Sequence, residues 1–365
     1  MKKILALLIL SVFSLVLVAC GEQTTEWNIV MLTDVGTITD KSFNQGTWEG
    51  VKAFAEDNDI THSYFRPNAA THASYLESID MVVANGANVV VTPGFLFETA
   101  IYEAQSRYPD VYFILIDGEP HTPDYSTFRT DDNVVNILFQ EEQSGFLAGY
   151  AAVADGFTNL GYMGGMEVPA VQKFGIGYVA GAYYAANALS KTITFDASRY
   201  EYLGDFDNKP EHTTKAASWY NAGVELIFVA AGGAGNAVMA AAEATSGKFV
   251  IGVDVDQAGE SDTVISSAMK ELAIAVRQEL QALIDGNWNG GQTLRKSATN
   301  DSVGLPTAQA SWRFRTFTQA QYETVLGKVK DGTITVPQTK AELTTFLAAN
   351  GNPSAAALVN KTVTE

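Results

Sequence analysis

The sequence predicts an α/β protein made of two Rossmann-like lobes, each with a parallel sheet covered by helices. Short apolar runs of strand length alternate with longer stretches at helical spacing, and the pattern occurs twice along the 365 residues. Near-continuous apolar runs are typical of strands covered on both faces in a parallel sheet. The roughly 345 residues after the leader also exceed a comfortable single core, which favours two lobes.

Residues 1–19 are predicted to be a secretory signal. Lysines at the start precede a largely apolar run over 4–18, which is shorter than a membrane-spanning helix requires. The small residue Ala19 stands before Cys20, as bacterial lipoprotein processing requires. We therefore predict that Cys20 becomes the acylated first residue of the mature protein. The alternative is an ordinary signal peptide with an incidental cysteine.

Residues 20–26 would then be a lipidated N-terminus and a short polar spacer. A multiply acylated cysteine would hold the protein stably on the extracytoplasmic face of the cell membrane. Cys20 is the only cysteine, so no intrachain disulfide and no cysteine-rich zinc site can form. We expect no metal and no cofactor, because the four histidines show no ligand spacing and Asp254 with Asp256 supplies too few oxygens.

The charge of the chain excludes one class of partner. The formal net charge is −18, and removing the two lysines of the signal segment makes it −20. An acidic surface of this kind repels phosphate backbones, so we expect no nucleic-acid partner.

In the first half, apolar runs predict strands at 28–32, 89–92 and 112–116. The stretches between them predict helices at 44–57, 73–85 and 97–107. Trp48, Val51 and Ala55 share one face of the first helix at helical spacing. Ser42 followed by Gln45 predicts a capping box at the start of this helix.

The second half predicts strands at 159–163, 226–230 and 249–253, with helices at 171–189, 213–221 and 235–244. The strand at 112–116 is followed by Asp117, and the strand at 249–253 is followed by Asp254. Ligands of open α/β sheets bind beyond the carboxyl ends of the strands, so matching strand ends can line one cleft. The alternative is a coincidence between two ordinary α/β segments.

The pattern also predicts the limits of the lobes. We assign 27–140 and a returning segment at about 258–292 to the N-terminal lobe, and 141–257 with about 293–345 to the C-terminal lobe. Hinge strands are expected near 133–150, 255–265 and 290–305. Alternating large apolar and polar residues predict an edge strand at 312–316. Residues 346–365 form a tail, expected to be poorly packed after Gly351.

The polar loop from Thr33 to Gln45 is the first candidate binding element. It follows the first predicted strand and ends at a helix start, where free backbone N–H groups favour recognition of polar groups. The alternative is an ordinary strand-to-helix loop with caps. A large aromatic, Phe43, favours the binding interpretation because it would be costly on such a loop without a partner.

The pattern Asp34-x-Gly36…Asp40-x-Ser42-Phe43-Asn44-Gln45 resembles the signature of the basic membrane protein family of bacterial lipoproteins. The best-understood members of this family are the purine nucleoside receptors of the PnrA-like group. The resemblance spans the chain from Cys20 to about Thr318. Further motifs agree in order: Gly94-Phe95-Leu96-Phe97, Asp117, Val171-Gln172-Lys173-Phe174, Ala231-Gly232-Gly233-Ala234-Gly235, Gly252-Val253-Asp254-Val255-Asp256-Gln257 and Ser266-Ser267-Ala268-Met269-Lys270.

The resemblance implies a type I periplasmic-binding-protein fold with several hinge crossovers, and a substrate-binding lipoprotein of an ABC-type importer rather than an enzyme. The implied ligand is a nucleoside, most readily adenosine, guanosine or inosine, and the implied partner is a membrane permease. At the base end, Phe43 and Phe174 should sandwich a purine ring. Asn44 and Asp117 should meet its polar edges, with Asp34 supporting that end of the pocket.

At the sugar end, the resemblance implies that Asp254 accepts hydrogen bonds from ribose hydroxyls and that Lys270 donates one. Gly232 and Gly233 should allow close backbone approach. Ser42 and Phe95 complete the candidate set.

Three other functions stay open. A receptor for a sugar or a signalling molecule would use the same fold and similar contacts. A nucleoside hydrolase would need a calcium site, which Asp34 with Asp40 superficially resembles. Adhesion to host molecules has no positive sign in the sequence. The glycine pattern over 175–180 resembles a dinucleotide motif, but Gly177 and Gly181 are better explained by close helix packing.

Overall fold

Two six-stranded sheets form the framework of the protein. The computed structural model describes residues 26–352, 354, 355, 357 and 358. The predicted signal at 1–19, Cys20 and all of the spacer except Glu26 lie outside the described residues. The two sheets, both dominated by parallel pairs, confirm the predicted α/β class and the division into two lobes.

The sheet of lobe 1 has the strand order β11-β5-β4-β3-β1-β2, and all its pairs are parallel. Its strands are β1 (Asn28–Leu32), β2 (Thr61–Phe65), β3 (Val89–Pro93), β4 (Tyr112–Ile116), β5 (Val134–Phe139) and β11 (Gln292–Lys296). Its helices are α1 (Phe43–Asp57), α2 (His72–Ala84), α3 (Glu98–Arg107) and α8 (Leu272–Ile284), which packs on α1.

The sheet of lobe 2 has the order β12-β10-β9-β8-β6-β7, in which only the β10–β12 pair is antiparallel. Its strands are β6 (Leu160–Gly164), β7 (Tyr200–Tyr202), β8 (Leu226–Ala230), β9 (Phe249–Asp254), β10 (Val264–Lys270) and β12 (Val303–Gly304). The remaining helices are α4 (Glu141–Ala154), α5 (Pro169–Ala188), α6 (Pro210–Asn221), α7 (Gly235–Glu243), α9 (Gln319–Lys330) and α10 (Lys340–Ala349).

The chain passes between the lobes three times, after β5, after β10 and after β11. Backbone hydrogen bonds tie these passages together: the Gln140 N–H donates to the Lys296 carbonyl at 2.9 Å, and the Glu271 N–H donates to the Ser302 carbonyl at 2.9 Å. The crossings therefore lie side by side and form the hinge.

The expected lobe boundaries need correction. We expected 258–292 to return to lobe 1 and hinge strands to include 255–265. Instead β10 pairs with β9 in lobe 2, and β11 pairs with β5 in lobe 1. The returning segment is therefore 272–296. The near-continuous burial of β10 fits an interior strand of lobe 2, since it has sheet neighbours on both sides.

Two predictions for the C-terminal part are wrong. No strand forms at 312–316, where Trp312, Phe314 and Phe317 instead pack against one another as a cluster of rings. The tail after Gly351 is not poorly packed where the structure describes it, because Ala355 and Leu358 are buried. Both differences have the same cause: apolar side chains of these two segments are buried although the backbone forms no strand.

The two halves share a backbone pattern at their strand ends. In each, a strand leads into a short 3₁₀ turn and then a helix: β3, Phe95–Phe97 and α3 in lobe 1, and β8, Gly232–Ala234 and α7 in lobe 2. The next strand of each lobe ends in an aspartate with left-handed backbone, Asp117 with φ 56° and Asp254 with φ 67°. The predicted correspondence between the halves thus extends to the backbone conformation.

Close backbone contact joins α4 and α5. A Cβ atom on Gly177 would lie 2.0 Å from the Glu142 carbonyl oxygen, and one on Gly181 would lie 2.0 Å from that of Phe146. Gly145 and Gly149 meet α5 in the same way. These glycines therefore serve helix packing, as the sequence predicted, and not a dinucleotide site. Within the described residues, no helix combines the length and apolar character needed to cross a bilayer.

Candidate functional site

A cavity lies between the carboxyl ends of the strands of the two lobes. The space between its lining atoms is about 710 Å³, a figure that includes the open solvent at its mouth. Ten of the eleven ligand-site residues proposed from the sequence line it: Asp34, Phe43, Asn44, Phe95, Asp117, Phe174, Gly232, Gly233, Asp254 and Lys270. The eleventh, Ser42, is fully buried behind the wall and donates a hydrogen bond to Asp254 at 2.6 Å.

The start of α1 is capped differently from the prediction. The Ser42 hydroxyl makes no capping hydrogen bond, so the expected Ser42–Gln45 capping box is wrong. Asp40 takes this role: its carboxylate accepts from the backbone N–H groups of Ser42 at 2.9 Å, Asn44 at 3.0 Å and Gln45 at 3.1 Å. A carboxylate at a helix N-terminus is favourable, and it leaves the Ser42 hydroxyl free to reach lobe 2.

The Asn44 amide joins two acidic residues of this corner. Its Nδ2 donates to Asp34 Oδ1 and to Asp40 Oδ2, each at 3.0 Å. The backbone N–H of Gly36 also donates to Asp34, at 2.7 Å. Burial raises the pKa of Asp34 to about 6 and also raises the pKa of Asp40. Both amide hydrogens of Asn44 are already bonded to Asp34 and Asp40. At this corner of the cavity a ligand would therefore meet mainly oxygen atoms.

Lys270 is the centre of charge in the cavity. Its Nζ lies 2.5 Å from Asp117 Oδ2 of lobe 1 and 3.3 Å from Asp254 Oδ1 of lobe 2. Burial alone would lower the pKa of Lys270, but the carboxylates of Asp117, Asp254 and Glu141 outweigh burial and raise it. The other oxygen of Asp117, Oδ1, is buried without a hydrogen-bond partner among the described residues.

Two residues expected at opposite ends of the ligand lie close together. The resemblance placed Asp117 at the base edge and Asp254 at the sugar. The structure brings the two carboxylates together on one ammonium group, 2.5 and 3.3 Å from Nζ. Asp34 and Asn44 instead form a separate polar corner of the same cavity.

Two predicted aromatic residues face the common cavity. Lys270 Nζ lies 4.6 Å from the ring centroid of Phe43 and 5.5 Å from that of Phe174, so the two rings are within about 10 Å of each other. Phe43 is half-buried, whereas Phe174 is 2% exposed and packs edge-on against Phe228 at 5.9 Å. Phe174 therefore offers a ligand much less of its surface than Phe43 does.

Sequence reasoning missed a third aromatic, Phe206. It is half-buried in the loop before α6 and lines the cavity. Its ring fills the space beside Gly165, where a Cβ would lie 2.3 Å from it, and it flanks Gly232. The signal was present, because Phe206 is the single aromatic in a polar, glycine-containing loop, as Phe43 is. Val168, Pro169 and Ala170 were also missed, since these small apolar residues carry no chemical signature.

The described residues contain no group of three or more histidine, cysteine, aspartate or glutamate side chains arranged to hold a metal ion. Asp34 and Asp40 share the amide nitrogen of Asn44, which is a donor and not a metal ligand. The arrangement therefore lacks the oxygen cage that a calcium-dependent hydrolase needs.

Comparison with known families decides the affiliation of the chain. The family described as "ABC transporter substrate-binding protein PnrA-like" (Bmp) matches residues 28–340. The chain belongs to this Bmp family. Its members are substrate-binding proteins of ABC transporters and not enzymes, which confirms both the family resemblance and the non-enzymatic class expected from the sequence. Such proteins work on the extracytoplasmic side of the membrane.

Relatives of this Bmp protein cover nearly the whole chain. The CD4+ T-cell-stimulating antigen of Listeria monocytogenes is 29% identical over 92% of this chain and 98% of that protein. The "ABC transporter nucleoside-binding protein BmpA" of Lactococcus lactis is 28% identical over 87% and 91%. Basic membrane protein A of Borreliella burgdorferi is 29% identical over 95% and 99%.

Solved structures agree with the fold. An ABC transporter solute-binding protein from Aeropyrum pernix K1 superposes with a TM-score of 0.74 at 23% identity, covering 91% of this chain and 98% of that chain. A second one, from Conexibacter woesei, gives a TM-score of 0.66 at 19% identity, covering 85% and 99%. The two-lobe fold of solute-binding proteins, expected from the sequence, is thus confirmed.

Proposed function

We propose that this protein binds a nucleoside, with a preference for purines, between its two lobes and delivers it to an ABC-type permease. The observation that carries the proposal is the combination of groups in one cavity. Aromatic rings lie beside two carboxylates that share a buried lysine, whose Nζ is 4.6 Å from the ring centroid of Phe43 and 5.5 Å from that of Phe174. A nucleoside offers the matching combination, since it joins a flat base to a sugar rich in hydroxyls.

The charged part suits the ribose. Carboxylates that accept hydrogen bonds from vicinal hydroxyls make charge-assisted bonds, which are about twice as strong as neutral ones. Asp254 and Asp117 both lie there with Lys270, so we assign both carboxylates to the sugar end. A ligand without hydroxyls would leave these desolvated charges without new partners, which would weaken its binding.

The aromatic part suits the base. Stacking of a base on an aromatic ring contributes about 1–3 kcal/mol. Phe43 from lobe 1 and a ring from lobe 2 would enclose the base when the lobes close. Phe206 presents more surface than Phe174, so we propose Phe43 and Phe206 as the clamp, with Phe174 as the floor of the pocket. Asp34 and Asn44 would meet the polar edge of the base.

A relative supports the class of ligand. The Lactococcus lactis protein of similar length is described as a nucleoside-binding protein of an ABC transporter. In the present protein, ligand contacts from both lobes would favour the closed form, and closure would present a new surface to the permease.

The proposed anchor is an acyl group on Cys20, at the extracytoplasmic face of the cell membrane. The short spacer to Trp27 would keep lobe 1 close to the bilayer. Labelling cells with a palmitate analogue tests the anchor: the wild-type protein should be labelled and sediment with membranes. A Cys20→Ala protein that is still labelled would contradict it.

Isothermal titration calorimetry with adenosine, guanosine, inosine and cytidine tests the nucleoside itself. We expect binding of the three purine nucleosides to be tighter than that of cytidine. No heat with any of the four would remove the proposal, and tighter binding of free ribose or galactose would favour a sugar receptor. Release of free base from inosine on addition of calcium would indicate a hydrolase.

A further inference from the structure

Glu141 is a buried acid at the first passage between the lobes. It is the first residue of α4, and its side chain is 2% exposed. Its Oε1 lies 3.8 Å from Lys270 Nζ, and its Oε2 lies 3.7 Å from Lys173 Nζ. Oε2 has no hydrogen-bond partner among the described residues. An ionised carboxylate in this setting is costly, because burial removes its water without supplying close donors.

The charges of the cluster around Lys270 balance only if one acid is neutral. Asp117, Asp254 and Glu141 face Lys270, and Lys173 supplies the second positive charge. Three carboxylates would therefore oppose two ammonium groups, and one of these, Lys173, also faces the buried acid Glu142. A proton on one of the acids makes the cluster neutral, and Glu141 is the acid with the most distant partners.

The charged neighbours of Glu141 agree with this assignment. Burial, followed by the negative charge of Asp117, raises its pKa to about 8, although Lys173 and Lys270 act in the opposite direction. Glu142, the remaining charged neighbour, adds to the rise. Burial and the charge of Asp117 thus favour the protonated form of Glu141 in this arrangement of the lobes.

Opening of the lobes would change these surroundings. Asp117 belongs to lobe 1 and Lys270 to lobe 2, so their 2.5 Å contact exists only while the lobes are together. Opening would remove the negative charge of Asp117 and admit water to the cleft. Both changes shift the pKa of Glu141 back towards that of an ordinary glutamate.

We propose that Glu141 lies beside Lys270 as a neutral acid while the lobes are together, and that it takes up one proton from solvent each time the lobes close on ligand. The proposal rests on the proposed function, since it assigns a proton to the same closure. The proton forms an O–H bond on Glu141 and is released when the lobes open.

Proton uptake can be measured directly on the wild-type protein. Adenosine binding is followed by calorimetry at pH 7 in two buffers of different ionisation enthalpy, which gives the number of protons taken up. We expect between half a proton and one proton per adenosine. Adenosine does not titrate here, and Asp34, with a pKa of about 6, contributes mainly at lower pH.

The same uptake sets the pH dependence of affinity. If a group gains a proton when the ligand binds, the affinity for the ligand falls as the pH rises, by up to tenfold per pH unit. The fall ends once the pH exceeds the pKa of that group in the complex. We therefore expect adenosine affinity to fall by up to tenfold between pH 7 and 8 and to level off above that. Constant affinity over this range would contradict the inference.

A matched pair of variants assigns the proton. Glu141→Gln should abolish the proton uptake and flatten the pH profile, because glutamine is a permanent mimic of the neutral acid. Glu142→Gln is the control: Glu142 is also buried with its pKa raised to about 7 by burial, and it shares Lys173 with Glu141. Its other main charged neighbours are Glu342 and Arg295 rather than Asp117 and Lys270. It should retain the uptake.

The outcomes separate the two proposals. Absence of binding by every nucleoside contradicts the proposed function. Binding of adenosine without proton uptake, or uptake that survives in Glu141→Gln, overturns the role of Glu141 alone. The wild-type measurement needs no variant, so the inference stays testable even if Glu141→Gln fails to fold.

Discussion

The ends of β4 and β9 carry the same residue in the same backbone conformation but in different surroundings. Asp117 and Asp254 both adopt left-handed φ values, which aspartate tolerates better than most residues. Asp254 accepts from Ser42 of the opposite lobe and also contacts Lys270 of its own lobe. Asp117 contacts Lys270 of the opposite lobe, and its second oxygen has no described partner.

The difference shows how a duplicated framework becomes a site for an asymmetric ligand. The repeated βαβ order places one carboxylate at each side of the cleft. A single lysine, Lys270 at the end of β10, then serves both of them. Because only lobe 2 supplies this cation, the two halves of the cavity differ in charge although their backbones match.

Removing the shared cation should have the largest effect. Lys270→Met leaves buried carboxylates without their counter-ion, and we expect a loss of about 3–5 kcal/mol in the free energy of unfolding. Adenosine affinity should fall more than about 100-fold for the same reason. Denaturant unfolding and calorimetry measure the two effects.

Lys209→Met is the control for this change, because Lys209 forms a partly exposed ion pair with Asp205. It should alter the free energy of unfolding by less than about 1 kcal/mol. Equal effects of the two lysine variants would mean that Lys270 is not the counter-ion of the cavity.

Replacing each aspartate separately tests whether both meet the sugar. Asp254→Asn and Asp117→Asn should each weaken adenosine binding about 10–100-fold, since hydrogen bonds to charged groups contribute about 1.5–3 kcal/mol. The effect should be much smaller with 2′,3′-dideoxyadenosine, which lacks the hydroxyls. If the loss for Asp117→Asn persists with the dideoxy ligand, Asp117 meets the base, as the sequence resemblance first implied.

The aromatic residues of lobe 2 can be separated by comparing stability with binding. Phe174→Ala removes a ring that is 2% exposed and should cost about 3–5 kcal/mol of stability. Phe206→Ala should leave stability nearly unchanged but weaken adenosine binding by about 1–3 kcal/mol, as Phe43→Ala should. If Phe174→Ala instead weakened adenosine binding and Phe206→Ala did not, Phe174 would be the stacking partner.

The smallest expected effect belongs to Ser42. Ser42→Ala removes the 2.6 Å hydrogen bond to Asp254, and the free oxygen of Asp117 has no such bond among the described residues. We expect adenosine affinity to fall about fivefold, which corresponds to about 1 kcal/mol. Ser78→Ala, which removes a hydrogen bond within α2, is the control and should leave affinity unchanged.

Much of the framework could be predicted because its elements have strong local patterns. The strands at 28–32 and 112–116 were located residue for residue, since each is a continuous apolar run. β2 was missed because Thr61–Phe65 is largely polar and lies at a sheet edge. α4 was missed as a helix because it is buried on nearly all sides, which removes the periodic contrast between faces.

The site could be predicted only in part. Family motifs identified residues that line the cavity, but motif order carries no information about which side chains share a partner. The meeting of Asp117 and Asp254 on Lys270 depends on how two sheets face each other, and that is a long-range property. Phe206 and Glu141 were not singled out, because neither belongs to a motif that pointed to the cavity.

The glycine-mediated contact between α4 and α5 has a practical consequence for spectroscopy. Helices whose backbones touch cannot slide or separate without large steric clashes, so α4 and α5 should move as one body. Two spin labels placed on α4 and α5 should therefore report one fixed distance with and without adenosine. A label on α1 paired with one on α5 should instead show two distances. The relative populations of these two distances would give the fraction of molecules with bound ligand.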